Sequence, residues 1–194
     1  MQIVNLSELT ETQIDQAITV FVEGLYQYMG ASITKDKTKL HILFKAMLDP
    51  AQVIVAMQDC CAVGILGWGN RDSHAAKSCR KLLVQQLGLY GIGVHVGLNV
   101  SQPKLTRDDE GRVEYLAVCE SMRGQGVGGK LINHLCSTLP YRSYMLETTE
   151  ENTAAVRLYS KLGFVRSEKP SPLVRVAARM FGVGTPVNMR LERS

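Results

Sequence analysis

The sequence predicts one α/β domain spanning residues 1–194, a central sheet flanked by helices with a helical insertion between the third and fourth strands. Three observations carry that prediction. A chain of 194 residues, 45% hydrophobic and 21% charged, has the length and composition for a single sizeable core. Apolar periodicity gives the order strand, two helices, hairpin, which is not the start of a repeating βαβ sheet. A strand, a glycine-rich loop and an amphipathic helix then follow in immediate succession over residues 113–139.

Residues 2–5 read as a short strand. Residues 11–29 read as a helix with Ile14, Ile18, Phe21, Val22, Leu25 and Met29 on its buried side and Gly30 at its end. A second helix, Thr34 to Leu48, buries Leu40, Leu43, Phe44 and Met47 and turns Lys35, Lys37, Lys39 and Lys45 to water. Val53–Met57 and Cys60–Trp68 form two strands joined at Gln58-Asp59.

Residues 70–110 are too many for a simple connection between strands. Ala75, Ala76, Cys79, Leu82, Leu83 and Leu87 fit one helix face, and a second apolar stretch runs from Leu89 to Val100. No formal charge occurs from Leu82 to Pro103, but Gln85, Gln86, His95, Asn99 and four glycines dilute the run, so no membrane span is expected. The insertion is expected to be a lid over an acceptor groove or an oligomer contact.

Val113–Cys119 is the strand of the organising unit. Val127, Leu131 and Leu135, with Ile132 and Leu139 beside them, mark a helix stopped before Pro140. Between strand and helix lie Arg123, Gly124, Gln125, Gly126, Val127, Gly128, Gly129 and Lys130. The first amides of a helix have no internal acceptors, its dipole is positive there, and glycines let an anion approach the backbone. This junction therefore suits phosphate or pyrophosphate. Tyr144–Thr148 is the next strand, Asn152–Leu162 a helix capped by a left-handed Gly163, and Val165–Lys169 and Thr185–Leu191 a closing pair of strands. Between those two, Pro172 to Phe181 reads as a basic amphipathic helix.

Three ligand classes compete for the glycine loop. Gly124, Gly126 and Gly129 spell G-x-G-x-x-G, with Glu147 near the position of a ribose-binding acid, which would suit NAD and an oxidoreductase. Four residues separate the strand from the first glycine, however, and too little chain follows for a doubly wound sheet. A P-loop is excluded because Leu131 stands where a Ser or Thr must ligate magnesium. The third reading uses more of the chain. Arg123-Gly124-Gln125-Gly126-Val127-Gly128 after Leu116-Ala117-Val118, with Asn152, Ala155, Tyr159 and Gly163-Phe164 downstream, resembles the acyl-CoA-binding core of the GNAT superfamily of N-acetyltransferases. Glu120 departs from the proline that many members have there.

That resemblance implies a mixed, mostly antiparallel central sheet and an acyltransferase that moves an acetyl group from acetyl-CoA to a primary amine of a small molecule or peptide. It implies that the strands Val113–Cys119 and Tyr144–Thr148 splay apart to admit acyl-CoA, that the pantetheine arm pairs with the backbone of Leu116, Ala117 and Val118, and that the pyrophosphate pairs with the amides of residues 124–129. Arg123 and Lys130 add charge, and Asn152 contacts the pantetheine side. Tyr159 falls at the position of a general acid for the departing thiolate. A lysine-like amine has a pKa near ~10.4, so about one molecule in a thousand is neutral at physiological pH and a base is useful. Glu114, on the strand leading to the loop, is the first candidate base, with Glu147 second. Cys119 has no histidine placed to activate it, so direct transfer is expected over an acyl-cysteine. A non-catalytic acyl-CoA sensor remains the alternative from another class.

The net charge of +4 suits a phosphate-bearing co-substrate, and no basic arm or zinc-finger spacing argues for nucleic acid. His41, His74, His95 and His134 form no H-x-x-x-H pair, so no metal is expected. Cysteines 60, 61, 79, 119 and 136 form no C-x-x-C pair, and the N-terminus is acidic where a leader would be basic. Reduced thiols in the cytoplasm are the expectation, and a homodimer is the base-rate oligomer.

Overall fold

The computed structural model of the chain describes residues 1–26, 33–100, 107–167, 170, 172, 175–176, 178 and 184–193. Its seven strands are β1 (Gln2–Asn5), β2 (Val53–Gln58), β3 (Cys61–Gly69), β4 (Glu110–Val118), β5 (Ser143–Thr149), β6 (Val165–Arg166) and β7 (Pro186–Glu192). They form one sheet in the order β1-β2-β3-β4-β5-β7-β6. The β4–β5 pair is parallel and the other five pairs are antiparallel. The sheet is thus mixed and mostly antiparallel.

The N-terminal half covers one face of this sheet. Helix α1 (Glu11–Leu25) starts at Thr10, whose hydroxyl accepts from the Gln13 amide while the Gln13 side chain accepts from the Thr10 amide. Its predicted end at Met29 and Gly30 lies outside the described residues. Gly24 on α1 lies so near β4 that a Cβ there would come within 2.5 Å of the Ala117 methyl. Only glycine allows this approach. Helix α2 (Lys37–Met47) begins three residues later than periodicity suggests, because Asp36 caps it by accepting from the Thr38 and Lys39 amides. Phe44 of α2 meets Phe21 of α1 edge to face at 4.8 Å. Lys37 reaches Glu23 and Lys45 reaches Asp15 and Glu11, so two of the four predicted solvent lysines tie α2 to α1.

The β2–β3 turn falls one residue later than predicted, with Asp59 and Cys60 both at positive φ as a tight hairpin turn demands. The insertion holds helices α3 (Arg80–Leu87) and α4 (Tyr90–Val100). Ala75 and Ala76 are not on α3 as the periodicity suggested. Backbone bonds from Asp49 to Ala75 and from Lys77 to Met47 hold them extended against the end of α2.

Helices α5 (Val127–Thr138) and α6 (Thr153–Lys161) cover the opposite face. The core is correspondingly double. Phe21, Leu40, Leu43, Phe44, Ile65 and Leu83 fill the α1–α2 side; Leu131, Ile132, Tyr144, Leu146 and Phe164 fill the α5–α6 side. Each side removes a row of large apolar groups from water, at roughly 1.5–3 kcal/mol per side chain. Within the predicted strand Val165–Lys169, Ser167 follows β6 and residues 168–169 lie outside the described residues. Most of the predicted helix from Pro172 to Phe181 also lies outside them. No helix among the described residues is long and apolar enough to cross a membrane.

Candidate functional site

Strand β4 has one residue more than its neighbour. Consecutive residues Gly67 and Trp68 on β3 pair with Tyr115 and Val113, so Glu114 is a bulge. The parallel pairing of β4 with β5 stops at the same point, the last pair being Val113 with Leu146. Beyond it β5 stays with β7, from Glu147 opposite Asn188 to Thr149 opposite Pro186. The sheet therefore forks after Val113 and Leu146.

The edge of β4 in this fork can be read residue by residue. The Cys119 amide donates to the Val63 carbonyl at 3.0 Å, which makes positions 119, 117 and 115 the ones whose polar groups turn to β3. Leu116 and Val118 consequently turn their N–H and C=O groups into the fork. Ala117 lies between them with its backbone turned to β3. Arg123 approaches the Val118 carbonyl, its Nε donating at 3.4 Å.

The glycine loop continues this edge. Gly124 and Gly126 have φ of +76° and +80°, a conformation that favours glycine. Gly126 is the N-cap of α5 and supplies no side chain to cap it, and no acidic residue stands in the first turn. The first backbone bond of the helix runs from Lys130 to Gly126, so the amides of Val127, Gly128 and Gly129 have no helical acceptor. Arg123, Gly124, Gln125 and Lys130 are exposed around them. Gln125 is fastened back by its side-chain amide, which donates to the Ser121 carbonyl at 2.9 Å. The result is a positively polarised rim with two exposed cations at its edge.

On the α5–α6 side, α6 packs against this helix start: a Cβ on Gly128 would lie 3.1 Å from Leu158, 3.5 Å from Leu116 and 3.8 Å from Val118. Asn152 caps α6, its Oδ1 accepting from the Ala155 amide at 3.2 Å, which leaves its Nδ2 to donate elsewhere. Tyr159 is buried, 7% exposed, with its ring centroid 5.9 Å from that of Phe164. Gly163, at φ +91°, ends the helix in the predicted left-handed cap.

The other face of the fork is polar. The Glu114 carboxylate is 5% exposed and accepts from Arg112 Nη2 at 2.7 Å, from His74 Nδ1 at 2.7 Å and from the Ala75 amide at 2.9 Å. Glu147 has its surface open to water yet is walled by protein on several sides. That partial desolvation raises its carboxyl pKa, while the nearby Arg112 charge pulls the other way. Glu110 is fully buried with Arg190 Nε 2.9 Å away, a charge contact whose angle makes no hydrogen bond. Glu110 Oε2 and Asn188 Oδ1 are likewise buried with no hydrogen-bond partner among the described residues. Buried polar atoms without partners are uncommon in folded proteins.

The structure thus gathers Leu116, Val118, Arg123, the 124–130 loop, Asn152 and Tyr159 on one side of the fork and Glu114 and Glu147 on the other. Sequence reasoning missed Arg112, Arg190, Glu110, Asn188 and His74. The spacing Glu110-x-Arg112-x-Glu114 was a readable signal, since charge at alternate positions of a strand predicts one charged face. His74 is 40 residues from its partner, and nothing in its neighbours marks it.

The sequence profile of the acetyltransferase (GNAT) family matches residues 49–164. No curated protein matches the chain by sequence. Among solved structures it resembles an N-acetyltransferase from Staphylococcus aureus Mu50, at 15% identity and TM-score 0.61 over 98% of this chain and 100% of that one. It resembles a histone acetyltransferase HPA2 and related acetyltransferase from Corynebacterium glutamicum at 20% identity and TM-score 0.62, covering 100% of this chain and 96% of that one. It is also similar to a chain of the NatC complex bound to Gag peptide and CoA, at 17% identity and TM-score 0.57, with 100% of both chains covered.

Proposed function

The chain belongs to the acetyltransferase (GNAT) family, and from that premise we propose that this acyltransferase moves an acetyl group from acetyl-CoA to a primary amine of a small molecule or peptide by direct attack. The observation that carries the reading is the fork. It offers two backbone positions of β4, Leu116 and Val118, that point into a gap leading to the uncapped start of α5.

In this reading the pantetheine arm lies along β4 and exchanges hydrogen bonds with Leu116 and Val118, with Ala117 as the spacer between them. The pyrophosphate sits on the amides of residues 124–129, and Arg123 and Lys130 neutralise its charge. Asn152 offers its Nδ2 to the arm. The thioester carbon then lies at the fork's apex. Tyr159 protonates the departing thiolate from the α6 side, and the Glu114 carboxylate serves proton removal from the amine on the other. Glu147, open to water beside the fork, attracts an ammonium group when it is ionised.

Thermal stability with acetyl-CoA, CoA, NAD and ATP added separately tests this. A ligand at about 100 times its dissociation constant stabilises the native state by roughly 2.7 kcal/mol. Stabilisation by acetyl-CoA and CoA, followed by CoA release in the presence of an amine, is expected. Stabilisation by NAD alone would overturn the reading, and acetyl-CoA binding without turnover over a broad amine panel would make the chain a sensor.

A further inference from the structure

His74 lies in the segment between β3 and α3, far from the glycine loop in sequence and unmarked by any motif. Its ring contacts Glu114 through Nδ1 at 2.7 Å, and the side chain remains 30% exposed. The carboxylate can only accept at that contact, because Arg112 Nη2 donates to the same oxygen at 2.7 Å and the Ala75 amide donates to the other at 2.9 Å. Nδ1 must therefore carry the hydrogen. In the neutral ring the lone pair is then on Nε2, on the side away from the carboxylate. A buried carboxylate that fixes the tautomer of a partly exposed imidazole leaves Nε2 as the ring atom that can take a proton, with Arg112 Nη2 3.5 Å from Nδ1 on the carboxylate side.

Glu114 itself is poorly arranged to act on an amine. Its side chain is 5% exposed and three donors occupy it. His74 is the accessible end of this pair. The contact also lies at the apex of the fork, since Glu114 is the first β4 residue beyond the last pair with β5.

Resting on the transferase reading, we propose that His74 is the base of the reaction and that Glu114 is a positioning residue acting through it. Nε2 removes one proton from the acceptor ammonium and passes it to water. The freed amine attacks the thioester carbon, forming the C–N bond as the carbonyl π pair moves to oxygen. That pair returns as the C–S bond breaks, and the thiolate takes the Tyr159 proton. The second proton leaving the nitrogen restores the phenol by way of solvent. Thioester and ammonium thus become amide, thiol and one released proton.

A merely structural histidine would pin the insertion to β4, and the test separates the two roles. His74→Asn keeps an amide donor where Nδ1 stands but has no Nε2; His74→Ala removes both and leaves space. CoA release from acetyl-CoA is followed chromatographically with a diamine, an amino acid and a lysyl peptide as acceptors, and with water as the default acceptor. Melting temperature and acetyl-CoA affinity are measured on each variant. The expected result is a loss in kcat of about 10²-fold or more in both variants, unchanged acetyl-CoA affinity, and recovery of His74→Ala by added imidazole. A His74→Asn enzyme within about threefold of the parent, well short of a general-base effect, overturns the proposal, as does a His74→Ala enzyme that imidazole does not revive. A parent protein that neither binds acetyl-CoA nor releases CoA would instead overturn the transferase reading, and this proposal with it.

Discussion

Glu114, at the point where the sheet divides, and Tyr159 lie on opposite faces of the sheet. Glu114 belongs with Arg112 and His74 on the α1 side, and Tyr159 packs against Phe164 in the core on the α6 side. A thioester held in the fork would have a basic group on one side and a phenol on the other, so proton removal and proton delivery need not compete for one space. Tyr159→Phe is expected to lower kcat by about 10²-fold or more while leaving acetyl-CoA affinity intact. Equal kcat in steady-state assays would remove Tyr159 from the mechanism.

Gly126→Ala tests the rim of the loop. A Cβ there meets no atom within 4 Å, so any effect comes from the φ of +80° alone. The strain is about 1–2 kcal/mol. Calorimetric titration with CoA should show weaker binding, since the strained turn shifts the amides that follow it, and the melting temperature should fall as well.

The Arg112–Glu114 pair is buried on both sides, at 6% and 5% exposure. Replacing one partner leaves the other charged in a low-dielectric place, a loss of roughly 3–5 kcal/mol. Arg112→Met should fall at the lower end, because His74 and the Ala75 amide still hold the carboxylate. Urea denaturation gives this directly.

Glu147 carries a pH signature. Its folded pKa is raised above the ordinary 4.5, chiefly by desolvation. A raised carboxyl favours the folded state while it is protonated, and that contribution is lost as pH climbs from the unfolded value through the folded one. Glu147→Gln should therefore melt with the parent at pH below about 4.5 and above it at pH 7. The same variant should raise KM for a cationic amine, which tells a binding carboxylate from an idle one.

Thiol labelling should sort the cysteines. Cys60, Cys61 and Cys79 are exposed, whereas Cys136 is half-buried and burial pushes its thiol up to about 11. The thiolate is the reactive species. Native protein should label quickly at the first three and at Cys136 only after denaturation, as read by mass spectrometry.

Much of this architecture was written locally. Thr10 with Gln13, the apolar faces of α1, α2 and α5, and Gly163 after α6 each act within a few residues, and helices and caps follow from such short-range rules. The loop was legible for the same reason: its glycines and its helix are contiguous. The fork was not. It depends on how many residues β3 and β4 place opposite each other, a property of two strands separated by the insertion, and one strand's sequence does not reveal a surplus residue. Ala75 and Ala76 show the limit in reverse. Their periodicity fits a helix, but backbone bonds to Asp49 and Met47 across the fold hold them extended.

The surplus residue in β4 also has a bearing on solubility. A strand edge with unpaired amides invites pairing with a second chain, and proteins usually hide such edges at their margins. Here the edge lies inside the sheet, between strands that are hydrogen-bonded together from Glu110 to Val113 and from Ser143 to Leu146. The two borders close to an apex, so a foreign strand cannot run through and extend the pairing as it does in amyloid. A wedge that opens from a closed end thus offers an intruding strand one short border and no path along the sheet.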